Sequence, residues 1–386
     1  MSKTFNFYKV AFYPNLWQDT PMKIALVHDF LSQNGGAEQV LKVLHEMYPE
    51  APIFTLFADR DRFPFLKNAD ISESALANLP GGRRHYQWYL PIMPIVTELY
   101  DLSEYDIVIS SVSAFAKGVI TRPDAIHICY CHTPTRFLWS DAHTYVRELS
   151  RNALVKLLVQ PVLSWQRIWD RTAADRVDVF VANSKTVQER ISKYYRRDSE
   201  IIHPSVEVDK FSISPTGPKD FYLAGGRLVA YKKFDWTIEA FNRLKLPLKI
   251  FGEGVAEDEL KKIAGPTIEF LGRVSEEEQK KLYSECIAYI QPQVEDFGMT
   301  AVEAMASGRP VIALRKGGST ETIVDGVTGS FMKFEGWEGV FDAVLNFDAS
   351  KFDSKIIREH AHKFSRAAFE EKIRALVDKH KQHDNY

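Results

Sequence analysis

The sequence predicts an α/β protein built from two doubly wound halves, each a parallel sheet with helices on its faces. Three observations carry this. Short apolar runs alternate with amphipathic helical stretches, the order that builds parallel sheets. The same plan restarts after the proline-rich stretch that contains Pro204, Pro215 and Pro218. At 386 residues and 45% hydrophobic composition, the chain can bury two cores.

In the first half, Ile24–Val27 reads as a buried strand, and Gly35-Gly36 opens a helix running through Val40, Leu41, Val43 and Leu44. Later strands are expected at Ile53–Phe57, Ile107–Ser110, Ile126–Cys131 and Val179–Ala182. In the second half, the strand Phe221–Ala224 is followed by the Gly225-Gly226 turn and a helix over Asp235–Leu244. Strands at Leu248–Phe251, Ile268–Leu271, Ala288–Gln291 and Val311–Leu314 continue it. The expected division is an N-terminal arm over 1–21, one domain over 22–205, a second over 206–365, and a helix over 366–386. That last helix carries Phe369, Ile373, Leu376 and Val377 and is able to pack back on the first domain. The plan resembles two Rossmann-like domains facing across a cleft, with ligands at the carboxyl ends of both sheets.

Formal net charge is −2, from 49 basic and 51 acidic residues, so no global field favours nucleic acid. Cys129, Cys131 and Cys286 form neither a CxxC pair nor an even disulfide set, which fits a reducing cytoplasm. No apolar run approaches the roughly 18 residues of a membrane-spanning helix, so a cytoplasmic, soluble or peripheral protein is expected. Asp59-Arg60-Asp61 is an Asp-x-Asp, but Arg60 and Arg62 oppose a cation there; it reads as a solvated turn, and no metal is expected.

The chemistry concentrates around Glu295 and Glu303, eight residues apart across Gly298. The strand-like Ala288–Ile290 precedes them, and Ala301, Val302, Ala304, Met305 and Ala306 are helix formers. A helix starting between the carboxylates leaves its first N–H groups unpaired at its positive end, a natural seat for phosphate. Thr300-x-x-Glu303 equally fits a capping box, in which Glu303 only satisfies a donor. Upstream, Arg227 and Lys232 lie just beyond a strand end, where two cations clamp a diphosphate, although a solvated basic turn reads the same way. Together these groups suit a sugar nucleotide: carboxylates accept hydrogen bonds from vicinal hydroxyls, and cations stabilise the departing diphosphate.

On Gly226-Arg227-Leu228-Val229 with Lys232, Gly252-Glu253-Gly254, Phe270-Leu271-Gly272-Arg273, Glu295-x7-Glu303 and Gly317-Gly318-Ser319-Thr320-Glu321, the chain resembles the retaining glycosyltransferases of family 4, which have the GT-B fold. Around Gly35–Glu38 and Cys129–Trp139 it is also similar to bacterial polysaccharide mannosyl- and glucosyltransferases. The resemblance implies that Arg227 and Lys232 bind the diphosphate, Glu303 the ribose, and Glu295 the donor hexose, aided by the main-chain N–H groups of Phe297, Gly298 and Met299. It implies a phosphate at the Thr300 amide, the Gly36 backbone reaching in from the opposite domain, Arg273 beside the base, and His132 near the hexose. His127 is expected to be structural; His28-Asp29 fits either the cleft or a hydrogen-bonded core pair. Lys233 stands where glycine is common in the family.

The implied activity is metal-independent hexosyl transfer with retention by front-face attack. It needs no cofactor, and its donor is a UDP- or GDP-sugar, UDP-glucose being favoured. The acceptor is a saccharide or lipid-linked saccharide. A sugar-nucleotide epimerase, which needs further acid and base groups beside the hexose, and a non-catalytic sugar-nucleotide-binding protein are the alternatives. Two segments, Arg83–Pro94 and Arg147–Arg171, mix cations with Trp88, Leu157, Leu158, Trp165 and Trp169. Each fits a lipid interface or ordinary helix packing, and packing is the preferred reading.

Overall fold

The computed structural model describes residues 22–32, 35–83, 85–149 and 153–381; the N-terminal arm over 1–21, Arg84 and Arg151 lie outside the described residues. The first half contains β1 (Ile24–His28), β2 (Ile53–Thr55), β3 (Ile71–Glu73), β4 (Ile107–Val112), β5 (Ile126–Cys131), β6 (Val179–Ala182) and β7 (Glu200–Ile201). They form one parallel sheet in the order β3-β2-β1-β4-β5-β6-β7. The second half contains β8 (Tyr222–Gly225), β9 (Leu248–Phe251), β10 (Ile268–Gly272), β11 (Tyr289–Gln291), β12 (Val311–Leu314) and β13 (Gly329–Met332). Its parallel order is β10-β9-β8-β11-β12-β13. In both sheets the chain works outward from its first strand and then reverses. The reversal falls between β1 and β4, and again between β8 and β11, where loops leave in opposite directions and open a crevice.

Both faces of each sheet are covered, so the central strands read as continuous apolar runs. In β1, Leu26 enters one core cluster with Ile53, Ile109 and Ile128, while Ala25 and Val27 enter another with Val108, Cys129 and Phe180. The strands absent from the sequence expectation, β3, β7 and β13, are all edge strands. An edge strand pairs on one side only and tolerates polar or glycine-led sequences such as Ile71-Ser72-Glu73 and Gly329-Ser330-Phe331-Met332.

The helix Arg366–Lys381 buries Phe369, Ile373, Leu376 and Val377 in the same cluster as Leu26, Ile109 and Tyr130. The Phe369 ring meets Tyr130 edge-on at 5.7 Å, and Arg366 pairs with Glu46. Just upstream, Ile357, Ala361 and Phe364 belong to the core of the other half. The chain therefore crosses between halves twice, and the crossings touch: the Val206 N–H donates to the Phe364 carbonyl at 3.0 Å. Because Phe369 is buried in the core of the N-terminal half, Phe369→Ala is expected to destabilise that half by about 3–5 kcal/mol. Urea unfolding monitored by tryptophan fluorescence reads this, and a midpoint equal to wild type would contradict it.

Candidate active site

The C-terminal side of the cleft is built on the ends of β8 and β11. Gly298, with φ +93°, turns the chain after β11 into the helix Met299–Ala306, a conformation in which a side chain is strained. No side chain caps this helix, and its first turn holds no acidic residue. Among the described residues, the N–H groups of Phe297, Gly298, Met299 and Thr300 donate to no protein acceptor. Four donors and the positive helix end thus face the crevice together.

The capping box is not formed. Thr300 lies inside the helix, with Oγ1 3.4 Å from Gln291 Oε1. Glu303 turns instead to the Tyr283 hydroxyl at 3.0 Å and the Gln279 amide at 3.4 Å. The positive φ of Gly298 places the helix start two residues too early for Thr300 to serve as its cap. Burial raises the Glu303 carboxyl to about 7, only partly offset by the Tyr283 hydrogen bond.

Glu295 precedes the helix and pairs with Lys232 while accepting from the Gln293 amide at 2.8 Å. Burial works to lower the Lys232 ammonium, but the attraction of Glu295 outweighs it and the net direction is upward. The two groups to which the resemblance gives separate tasks therefore share one ion pair. Arg227 lies nearby, its guanidinium donating to the Tyr231 hydroxyl at 3.2 Å. Lys233 adopts φ +57°, the left-handed conformation that glycine occupies most cheaply, and this starts the helix Phe234–Leu244. Arg273 is exposed at the end of edge strand β10, with no ion pair among the described residues.

Across the cleft, His132 directly follows β5. Its Nε2 lies 2.8 Å from Ser111 Oγ, which is 3.2 Å from His28 Nδ1. The Asn183 amide donates to the His132 carbonyl at 2.9 Å. Burial, then repulsion from His28, lowers the His132 imidazole to about 3, so it is neutral at physiological pH and acts as a hydrogen-bonding group. Gly36 opens the helix Gly36–Met47, and a Cβ there would lie 2.8 Å from Met299 Sδ. The small residue thus lets the two domains approach at the helix start. His127, fully buried, holds Ser110 Oγ at 2.8 Å and is structural.

Asp29 belongs to the core. Its carboxylate accepts from the N–H groups of Ser113, Ala114, Phe115 and Ala116 at 2.6, 2.8, 2.7 and 2.7 Å. At this switch point the chain supplies its own anion; at the other it does not. Below the loop after His132 lies a buried ion pair of Lys117 with Asp170. Asp170 also accepts from Thr135 Oγ1 and Trp139 Nε1, both at 2.7 Å. Asp170, Gln291 and Tyr283 carry no local sequence signal, because each acts on residues distant in the chain.

Asp59 pairs with Arg62 at 2.8 Å in the turn that holds the Asp-x-Asp. Among the described residues no three His, Cys, Asp or Glu side chains are grouped to hold a metal, and no helix is long and apolar enough to cross a membrane. The two segments read as packing or as a lipid interface are packed in part and exposed in part. Trp169 is packed, donating to Glu98 at 2.8 Å. Trp88, Ile95, Leu99, Leu157, Leu158 and Ile168 are exposed, Leu99 by 74% and Ile168 by 69%.

Comparison with known proteins gives this site its family. The sequence profile described as Glycosyltransferase Family 4 matches residues 34–210, and that described as Glycosyl transferases group 1 matches residues 205–371. The chain belongs to the family 4 glycosyltransferases. An uncharacterized glycosyltransferase of Methanocaldococcus jannaschii is 26% identical over 205 residues, 52% of this chain and 58% of that protein, so the chain spans little more than half the length of that relative. An alpha-1,3/1,6-mannosyltransferase of Dictyostelium discoideum is 23% identical over 331 residues, covering 72% of this chain and 76% of the relative. Among solved structures, Anabaena HepE in complex with UDP superposes with a TM-score of 0.69 at 16% identity, over 93% of this chain and all of that one. Sucrose-phosphate synthase from Thermosynechococcus elongatus gives 0.70 at 16% identity, over 93% and 99% of the two chains. At such identities the likeness is one of fold, and that fold is GT-B, two Rossmann-like domains across a cleft.

The raised Glu303 carboxyl has a consequence for stability. Its ionised form is penalised in the folded state, so the cost is absent below the unfolded value and grows as pH rises through about 7. Glu303→Gln is therefore expected to gain stability relative to wild type between about pH 5 and about pH 8, read by thermal unfolding. A difference that does not change with pH would contradict the assignment.

Proposed function

We propose that this chain transfers a hexose from a UDP-sugar to a saccharide or lipid-linked saccharide in polysaccharide synthesis, with retained configuration and without a metal. The observation that carries it is the uncapped helix start at Phe297–Thr300 beside the Lys232–Glu295 ion pair. The open N–H groups receive a phosphate, and Arg227 and Lys232 balance the charge that develops on the departing diphosphate. Lys232 bridges that phosphate and Glu295, which accepts hydrogen bonds from the donor hexose. Glu303 accepts from the ribose hydroxyls, and Arg273 lies against the base. From the other domain, neutral His132 and the Gly36 backbone meet the hexose. Residues 22–205 present the acceptor, and residues 206–365 hold the donor.

UDP is preferred because HepE has been solved with UDP and with UDP-glucose, in the same overall fold. Exposed apolar residues occur on both 88–99 and 157–168, segments joined where the Trp169 indole donates to Glu98. With Arg147 and Lys156 nearby, they suit a peripheral contact with an anionic membrane face, where a lipid-linked acceptor would reside.

Glu295→Gln and Arg227→Ala should each lower transfer by at least about 100-fold while leaving the melting temperature within a few degrees of wild type. Full activity in either variant would sink the assignment. Thermal-shift binding across UDP-, GDP- and ADP-sugars identifies the base, and proton NMR of the first product formed reads the anomeric configuration. Vesicles containing phosphatidylglycerol should sediment the wild type but not a Leu157→Glu/Leu158→Glu variant; failure of the wild type to sediment would remove the membrane contact.

A further inference from the structure

The helix Lys185–Tyr195 of the N-terminal half receives both loops that shape the donor side. Its first N–H groups, at Lys185 and Thr186, donate to the Glu321 carboxylate at 2.8 and 3.4 Å. Further along, Arg190 Nη1 donates to Thr133 Oγ1 at 3.0 Å and also to Asp296 Oδ1. Thr133 directly follows His132, and Asp296 directly follows Glu295. Arg136 Nη1 stands 3.8 Å from the other oxygen of Asp296, and the Arg136 guanidinium lies over the Tyr231 ring at 5.2 Å, in the loop of Arg227 and Lys232. The two C-terminal loops are themselves joined, the Gly318 N–H donating to the Glu295 carbonyl at 2.8 Å. Arg190 and Asp296 are each only 19% exposed, so their attraction is weakly screened, and removing one partner leaves a part-buried charge alone.

We propose that Arg190 is a positioning residue for sugar transfer. By holding the neighbours of His132 and Glu295 at once, it sets their separation across the cleft, so both reach the donor hexose only when the domains are closed. This rests on the reading of the cleft as a hexosyl-transfer site. The guanidinium need not touch substrate; its effect passes through the backbone of the adjoining residues. A group that merely stabilised one domain would not link the two sides in this way.

The test measures turnover, UDP affinity and domain closure in Arg190→Gln, Asp296→Asn and the double variant. Each single variant should lose about tenfold to a hundredfold in kcat, while UDP affinity measured by calorimetry stays within about threefold. The double variant should be no more than about threefold slower than either single one, because both remove the same link. Arg190→Lys should recover part of kcat and guards against loss of folding as the cause. Small-angle scattering should give a larger radius of gyration with UDP for Arg190→Gln than for wild type. Wild-type kcat in Arg190→Gln, a loss of UDP affinity matching the loss of kcat, additive effects in the double variant, or unchanged scattering would each overturn the proposal. Were the wild type itself to transfer no sugar, the hexosyl reading would fall, while scattering would still decide whether Arg190 holds the domains together.

Discussion

The architecture turns on how unpaired backbone N–H groups are met where each parallel sheet reverses its strand order. A doubly wound sheet leaves such groups at its carboxyl end by construction, and each demands an acceptor. In the N-terminal half, Asp29 satisfies four of them from within the protein and closes the turn at 113–116. In the C-terminal half, the equivalent place holds Gly298 and an uncapped helix with no acidic residue in its first turn. One side is finished by the fold, and the other is left for a ligand. This asymmetry separates two sheets that share one plan, and it underlies the proposal that the C-terminal half receives the phosphate.

Burial then adjusts the groups around that opening. Burial, then repulsion from His28, favours the neutral His132 imidazole, which suits a hydrogen-bonding role. Glu303 is held near neutrality by desolvation, so its accepting power depends on pH in a range where most carboxylates do not change. Lys232 and Glu295 form one part-buried ion pair, and the attraction of Glu295 raises the Lys232 ammonium against the opposing effect of burial. The Lys117–Asp170 pair fixes the loop after His132 from below and shows a second use of buried charge, as scaffold rather than as chemistry.

Central strands were legible in the sequence because a strand covered on both faces must be apolar: Ile126–Cys131, Val179–Ala182, Leu248–Phe251 and Val311–Leu314 have the same bounds in the structure. Edge strands such as Glu200–Ile201 escape that rule. The donor-side loops were legible for a related reason, since glycine turns and charged residues at strand ends are local signals. The Thr300–Glu303 capping box is the instructive failure. Its spacing is right, but Gly298 starts the helix earlier, and Tyr283, from another helix, claims Glu303. Arg190 and Glu321 were not legible as partners of the opposite domain, because their contacts lie 106 and 136 residues away in the chain.

The double crossing at Val206 and Ser365 has a mechanical meaning. Two strands of chain run side by side between the halves, paired through the Val206 N–H and the Phe364 carbonyl, and the returning helix is anchored by Phe369 and Arg366. A single tether would permit swivelling and twisting; a pair of adjacent tethers leaves chiefly one rotation, like a door on two pins. A proteolytic cut in the 212–219 stretch would accordingly not release the halves from each other, since the second crossing and its anchored helix would still hold them in register.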